Sequence, residues 1–353
     1  MPSFARMRRL PVLLLGLVLL FAAGAAVAAP GDGCPELAAR QQDPQVATRI
    51  GAVACAESLR WNRPFIHTEG QLASLNAYEA EDRGLQDGGA PWRRVAFYWQ
   101  ASGLLPGMAF KPGAGDCQVA AMRLEFPGLG CRAFVVDTPW SAAFVSWVMQ
   151  RAGVPGFRAS ASHADYVRAA LRDPASSPYR LQAPQDAQLQ AGDLLCYARA
   201  GQVLGPAGLR KLLEAGNGGV PMHCDVVVSR EPGRVYLVGG NVQQAVTLRI
   251  LQTNAAHRLW NLPQRAEGDL PCSPDMPQAC DFNRQDWVAA LVLRPQEELA
   301  GLGAVTPPAP VAEPPSAPTC CVNCVLGSGV PRCPLPGQAP PRRLPEVPLQ
   351  GAE

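Results

Sequence analysis

Residues 139–153 constrain the fold of this chain more than any other segment, because nearly every position in their centre is apolar. The apolar side chains belong to Ala142, Ala143, Phe144, Val145, Trp147 and Val148. A helix that is apolar on most of its faces has to be buried, and Gly153 supplies a helix-ending signal. We therefore expect a helix in the centre of the fold, with the hydroxyl group of Ser141 in its first turn.

The position of Ser141 has two interpretations. The first turn of a helix presents unpaired backbone N–H groups and a partial positive charge, which suit a nucleophile or a developing oxyanion. A serine at this point is also common as a helix cap or as a packing residue. Ser141 is therefore a candidate nucleophile, with a structural role as the alternative.

The spacing of apolar residues in the rest of the chain predicts an α+β domain over residues 34–296, with a helical N-terminal part at 34–110. Helical spacing covers residues 35–60 and 92–105, and a shorter stretch at 209–213. Segments rich in Val, Leu and Ile predict strands at 193–197, 223–229, 235–238, 245–251 and 287–293. Turn residues lie at 231–233 and 239–241. We expect the central helix to pack on an antiparallel sheet.

Both ends of the chain differ from this domain. Residues 1–28 have the basic start, apolar run and Ala26-Val27-Ala28 site of a signal peptide, with an uncleaved N-terminal anchor as the alternative. Of the chain's 36 prolines, 13 lie between Pro307 and Pro348, so residues 306–353 cannot build a core and predict a largely disordered tail. We expect a periplasmic or secreted protein without a transmembrane domain after cleavage.

The charge balance excludes one class of partner. The chain has 31 Lys+Arg and 29 Asp+Glu. Without the three arginines of the signal peptide the balance is 28 to 29, a net charge of about −1. This composition lacks the basic surface of a nucleic-acid-binding protein. No motif in the sequence predicts a cofactor.

Twelve cysteines in an exported chain favour disulfides. The expected pairs are Cys117–Cys131, Cys272–Cys280, Cys34–Cys55 and Cys196–Cys224, although spacing alone leaves other connectivities open. Four further cysteines in the tail, at positions 320, 321, 324 and 333, have zinc binding as an alternative to disulfides. We expect no metal site in the domain.

The strand at 223–229 carries a second candidate group. His223 and Asp225 are two residues apart, so their side chains lie on one side of the strand, whereas Cys224, Val226 and Val228 lie on the other and face the core. This places a histidine and a carboxylate together outside the core, as a general base with its orienting group requires. Asn241, after two glycines, is an alternative orienting residue.

Four segments in this order resemble the CHAP and NlpC-type papain-like amidases. They are Pro139 to Val148, which resembles the Trp-Cys-Ala-x-Phe-Val-x-Trp signature, then Ala191 to Leu195, Met222 to Val228, and Val238 to Leu248. Within that group, the sequence is most similar to an uncharacterised bacterial family, domain of unknown function 2272. The similarity covers residues 61–293.

The resemblance implies a papain-like fold and a hydrolase of amide or ester bonds, which we expect to act on cell-wall peptides. Ser141 stands where those amidases have their nucleophilic cysteine, and His223 matches their base. Gly239 stands where CHAP enzymes often have Glu, so the third role passes to Asn241 or Asp225. Because a serine replaces the cysteine, an inactive protein that binds a wall peptide or glycan in the same cleft is the main alternative. An envelope protein that assembles through its tail is another.

The other histidines and Trp140 are further site candidates. His163, after the central helix, could reach the cleft as a substrate-binding residue, and Trp140 could form a substrate platform, with a place in the core as its alternative. His67 with Glu69 is more typical of a surface or capping pair than of a metal site. His257 lies in a polar loop and His223 could be a structural histidine beside Asp225.

Overall fold

The computed structural model describes residues 33–120, 128–199, 201–216 and 218–308. The predicted signal peptide at 1–28 lies outside the described residues. So do the four tail cysteines and all of the predicted tail except residues 306–308.

The structure is a mixed α+β fold, as the sequence predicts. Its helices are α1 (Cys34–Leu37), α2 (Val46–Arg60), α3 (Pro91–Ala101), α4 (Ala114–Ala120), α5 (Leu129–Asp137), α6 (Ser141–Arg151), α7 (His163–Arg172), α8 (Gly205–Ala215) and α9 (Gln296–Ala300). Its strands are β1 (Phe65–Ile66), β2 (Leu72–Ala73), β3 (Tyr179–Gln182), β4 (Leu194–Ala198), β5 (Met222–Glu231), β6 (Arg234–Val242), β7 (Ala245–Gln252) and β8 (Asp286–Leu293).

The strands form one sheet in the order β2-β1-β7-β6-β5-β4-β8-β3. All neighbours are antiparallel except β1 and β7, which are parallel. Helix α6 is the central helix that its apolar sequence predicts: it packs on β5 and β6 and contacts α2 and α3. Every residue of α6 from Ser141 to Met149 is buried.

The sheet is covered on both sides, because the two alternating faces of its central strands enter two hydrophobic cores. Cys224, Val226 and Val228 of β5 belong to the larger core with the helices. Val227 belongs to a smaller core on the other face, with Leu237, Trp287 and other residues. Strands covered on both sides have apolar residues at nearly every position. Strands β4 and β8 have this composition, and nearly all of their residues are buried.

Two local predictions were wrong. The predicted helix at 35–60 is interrupted between α1 and α2, because the residue before Pro44 is disfavoured in a helical conformation and Asp43 Oδ1 instead accepts a hydrogen bond from the Gln45 N–H at 2.9 Å. The predicted turn at 239–241 lies inside β6; the chain turns at Gln243 and Gln244, which both have positive φ values of 54° and 62°.

All four predicted disulfides of the domain are present. Cys196 and Cys224 face each other in the register of β4 and β5, and Cys224 lies between His223 and Asp225. This disulfide therefore fixes the strand that carries the predicted histidine–carboxylate pair. Among the described residues, no helix combines the length and apolar character that a membrane span requires.

Replacing Cys196 and Cys224 together by alanine should lower the free energy of unfolding by roughly 3–4 kcal/mol, because the disulfide closes a loop with a sequence separation of 28. The Cys272/Cys280 double alanine variant is the matched control: its separation is 8, so the loss should be about 1 kcal/mol smaller in the same chain-entropy model. Urea unfolding of the three proteins measures the difference. An equal loss in both variants would contradict the loop-entropy argument.

Candidate functional site

Ser141 is the first residue of α6, and it does not cap the helix. The N-cap position belongs to Trp140, which makes no capping hydrogen bond through its side chain. The Ser141 hydroxyl oxygen lies instead 2.8 Å from Nε2 of His163. A contact of this kind joins nucleophile and base in serine hydrolases. The imidazole in it belongs to His163, which we expected in the cleft, and not to His223.

His163 is held in place by its position at the start of α7. Its ring packs edge-on against Tyr166, one helical turn later, with ring centroids 5.6 Å apart. The Tyr166 hydroxyl oxygen lies 2.8 Å from the carbonyl oxygen of Ala142 and 2.7 Å from the Ser146 hydroxyl group. Tyr166 therefore attaches α7 to α6 next to Ser141, and this fixes the imidazole relative to the hydroxyl group.

His223 and Asp225 lie on the same face of β5, as their spacing predicts. Nε2 of His223 is 2.7 Å from Asp225 Oδ1. The second carboxylate oxygen accepts a hydrogen bond from Arg249 Nε at 2.7 Å. The expectation that this pair lies outside the core was wrong: His223 is 1% exposed and Asp225 0%, because the smaller core covers this face of the sheet.

The two imidazole rings are neighbours, with centroids 5.4 Å apart. An ionised carboxylate can only accept, so Nε2 of His223 carries a proton and its Nδ1 is an acceptor when the ring is neutral. When Ser141 donates to Nε2 of His163, Nδ1 of His163 carries the proton of the neutral ring. Both Nδ1 atoms are buried without a hydrogen-bond partner among the described residues. One ring thus carries an unused donor and the other an unused acceptor, and the two are not hydrogen-bonded to each other.

The electrostatics favour a neutral His163 beside an ionised Asp225. Burial lowers the pKa of His163 well below its ordinary value, and the neighbouring His223 lowers it further. Burial alone would raise the pKa of the Asp225 carboxyl group. The Arg249 guanidinium outweighs that effect, with a contribution from His223, so the pKa of Asp225 lies well below its usual range. A neutral imidazole is the form that accepts a proton.

Asn241 and Trp140 form a contact that is separate from the two histidines. Asn241 has a positive φ of 57°. With its amide oxygen turned toward Trp140, it accepts hydrogen bonds from the Trp140 backbone N–H at 3.1 Å and from the indole N–H at 3.2 Å. The indole N–H also lies 2.6 Å from Glu79 Oε2. Asn241 therefore orients the residue before Ser141, and no hydrogen bond joins it to either histidine.

Trp140 is a core residue and not a substrate platform. Its side chain is fully buried and stacks on Trp61, with ring centroids 5.8 Å apart. Glu79, its partner, is also buried, and desolvation raises the pKa of this carboxyl group although the Trp140 hydrogen bond opposes the shift. No sequence pattern identifies Glu79, because it lies in an irregular segment between β2 and α3.

The two glycines of β6 leave room for side chains that come from β5 and α6. A Cβ atom at Gly239 would overlap the Asp225 carboxylate, and one at Gly240 would overlap the ring of Phe144 in α6. The glycines are needed for close approach and not for a turn. The place that a glutamate side chain would take at position 239 is filled by Asp225.

Arg249 belongs to the same arrangement, although no motif in the sequence pointed to it. Besides Asp225, it donates to the Phe282 carbonyl oxygen at 2.6 Å and to Asn283 Oδ1 at 2.9 Å. Its guanidinium lies over the rings of Tyr197 and Trp287, 5.8 and 5.5 Å from their centroids. An arginine in the middle of the apolar strand Ala245–Gln252 was the available signal, because a buried cation requires a partner.

The other candidates remain apart from this arrangement. His67 is exposed and packs edge-on against Phe65, and Glu69 accepts a hydrogen bond from Thr68. His257 lies in a loop, where its backbone N–H bonds to the Asn254 carbonyl oxygen. Among the described residues no group of three or more His, Cys, Asp or Glu side chains could hold a metal ion.

Comparison with known proteins identifies a family without a described activity. The model of the family described as "uncharacterized protein conserved in bacteria", domain of unknown function 2272, matches residues 86–293. The match covers more than half of the chain and includes Ser141, His163, His223 and Asp225. No curated protein and no solved structure matches the chain.

Proposed function

Given that the chain belongs to the uncharacterised bacterial family with domain of unknown function 2272, we propose that it is a serine-dependent hydrolase of amide or ester bonds. One observation carries the proposal: the 2.8 Å contact between the Ser141 hydroxyl oxygen and Nε2 of His163 at the N-terminus of a buried helix. The predicted papain-like character of the fold is part of this proposal, and the central helix packed on the sheet supports it.

In the proposed reaction, His163 Nε2 takes the hydroxyl proton as Ser141 Oγ attacks the carbonyl carbon of the substrate. The carbonyl oxygen becomes negatively charged and is stabilised by backbone N–H groups in the first turn of α6. His163 then gives the proton to the leaving amine or alcohol, which leaves an acyl group on Ser141. Water hydrolyses this ester in a second step with the same base, and free Ser141 is restored.

His223 and Asp225 act in this proposal as positioning residues. When Ser141 transfers its proton, His163 becomes a cation. The acceptor nitrogen of His223 lies in the neighbouring ring, and the Asp225 carboxylate behind it is negative at neutral pH because its pKa is depressed. The negative charge of Asp225 therefore favours the charged form of His163, while the His223 ring packs beside the His163 ring and limits its orientation.

Burial of the site is the observation that favours the alternative. Ser141 is 4% exposed and His163 3%, so a substrate reaches the hydroxyl group only if the side chains that cover it move. An inactive envelope protein, which uses the same region to bind a wall peptide or glycan, would not require this movement. The four disulfides support an oxidising location outside the cytoplasm for both functions. We propose the periplasm or secretion, and cell-wall peptides as substrates.

A serine-reactive fluorophosphonate tests the proposal directly. The wild-type protein should gain one covalent adduct in intact mass spectrometry and should cleave purified muropeptides, whereas Ser141→Ala should do neither. Ser102→Ala is the matched control, because Ser102 is a buried serine whose hydroxyl group donates to the Trp99 carbonyl oxygen at 3.1 Å; this variant should still be labelled.

The remaining outcomes distinguish the alternatives. Absence of labelling and turnover in the wild type, with muropeptide binding retained in Ser141→Ala, would reject the hydrolase and favour the binding protein. Activity that appears only in Ser141→Cys would show a site that has lost its thiol nucleophile. Binding that is lost on deletion of residues 309–353 would favour assembly through the tail.

A further inference from the structure

A pocket lies apart from the Ser141 site. A cavity of about 390 Å³ opens between the loop at residues 156–160, one face of α7 and residues 176–179, which lead into β3. This volume is within the range of sites for small ligands. Ser141, His163 and His223 are not among the lining residues, so the proposed reaction does not explain the cavity.

Three arginines line this cavity, and they differ in what they already bind. Arg172 donates to the carbonyl oxygens of Leu213 and Gly216, and Arg168 pairs with Asp165 and donates to the Gly218 carbonyl oxygen. Arg158 is exposed, and no described residue forms an ion pair or hydrogen bond with its side chain. Arg158 is therefore the cation of the cavity that is free for a ligand.

Arg168 provides a second unused donor. Its Nε atom is buried and has no hydrogen-bond partner among the described residues. A buried N–H group without an acceptor is unfavourable, and a ligand acceptor in the cavity would satisfy it once the side chains that cover this atom move. Of the two lining carboxylates, Asp165 already accepts from Arg168 and from the Ser160 hydroxyl group at 2.6 Å. Asp173 accepts from the Ser176 backbone N–H.

The rest of the wall is largely apolar. Phe157 and Tyr166 contribute rings whose centroids are 5.1 Å apart, and Ala159, Ala169 and Pro178 also line the space. A ligand that fits this combination has an acidic group for the arginines and a short apolar body for the rings. The planar guanidinium suits a carboxylate, which can accept two parallel hydrogen bonds.

We propose that this cavity is a binding site for a small organic carboxylate with an apolar body, such as the C-terminal end of a short peptide. Arg158 supplies the charge, and Arg168 Nε supplies a buried donor. The proposal does not depend on the Ser141 reaction. Tyr166 belongs to both places, since it lines the cavity and its hydroxyl group contacts Ala142 beside Ser141.

Isothermal titration of the full chain with N-acetyl-alanyl-alanine tests the site, with the C-terminal amide of the same dipeptide as the uncharged control. The acid should bind saturably and the amide should bind at least about tenfold more weakly, as expected for the loss of a charge-assisted hydrogen bond. Arg158→Gln should weaken binding of the acid by a similar factor without changing the melting temperature, because its side chain has no partner in the free protein. Arg40→Gln, on an exposed residue that pairs with Asp43, removes the same charge elsewhere and should bind normally.

Three results would overturn the assignment: no saturable binding of the acid, equal binding of acid and amide, or unchanged binding in Arg158→Gln. Inorganic phosphate is a further arm, and phosphate that binds more tightly than the peptide acid would show a phosphoryl site instead. Because fluorophosphonate labelling of Ser141 is a separate measurement, failure of either proposal is recognised independently of the other.

Discussion

His163→Gln should reduce labelling of Ser141 by a fluorophosphonate, and turnover of any substrate that the wild type cleaves, by about 10²–10⁴-fold. The reason is the loss of the group that lies 2.8 Å from the serine hydroxyl oxygen, since an unactivated serine is a poor nucleophile. The rate of labelling, followed by intact mass spectrometry, measures the effect. His67→Gln removes an exposed histidine and should leave the rate unchanged.

His223→Gln separates the two possible bases. If His223 orients His163, this variant should lose activity but less than His163→Gln. A larger loss in His223→Gln than in His163→Gln would instead support the role that the sequence resemblance implies for His223. Circular dichroism has to show that both variants are folded, because both side chains are buried.

The pH profile gives a second measurement of the same site. His163 must be neutral to accept the proton, and burial lowers its pKa well below the ordinary value. The labelling rate should therefore stay constant as the pH falls through about 6.5, the usual pKa of histidine, and decline only in more acidic solution. A rate that halves near pH 6.5 would contradict a buried neutral base.

Arg249→Met should lower the free energy of unfolding by about 3–5 kcal/mol, because it leaves the Asp225 carboxylate buried without its cation. Asp225 is fully buried and Arg249 Nε lies 2.7 Å from it. Urea unfolding at pH 7 measures the loss. Arg180→Met is the matched control: Arg180 pairs with Glu298 on the surface, and loss of an exposed pair should cost no more than about 1 kcal/mol.

The contribution of Asp225 to the free energy of unfolding should depend on pH with opposite signs in the wild type and in Arg249→Met. In the wild type the pKa of Asp225 is depressed, so its contribution is present above the unfolded pKa of about 3.9 and is lost as the pH falls through the folded value. In Arg249→Met, burial raises the pKa, so the deficit should shrink as the solution is acidified from pH 7 toward 4. A deficit that stays constant over this range would show that Arg249 acts through packing and not through charge.

The sequence predicted most of the regular structure because its apolar residues follow a clear helical or strand pattern. The apolar run at 139–153 became α6, and the five Val- and Leu-rich segments became β4 to β8. It missed β1, β2 and β3, which have two to four residues, too short for a periodic signal. It missed α7, although the apolar residues between His163 and Arg172 have helical spacing.

The sequence identified the residues of the candidate site, but not which of them are in contact. Ser141, His163, His223 and Asp225 are all recognisable from residue type and position. Which imidazole reaches the serine depends on the placement of α7, and Tyr166 fixes that placement through α6. The Asp225–Arg249 contact joins β5 to β7 across β6, and Gly239 provides the space for the carboxylate. Such contacts between distant segments leave no local pattern in the chain.

The sequence alone determined what is periodic along the chain: the buried central helix and the alternation of β5 that puts His223 and Asp225 on one side. It favoured four cysteine pairs, and the structure decided the connectivity. Only the tertiary structure decided that the second face of the sheet is buried as well, that His163 is the partner of Ser141, and that the glycines of β6 make room for a carboxylate and an aromatic ring. The physical reason is that burial and hydrogen bonding depend on which elements pack together, whereas periodicity depends only on neighbours in the chain.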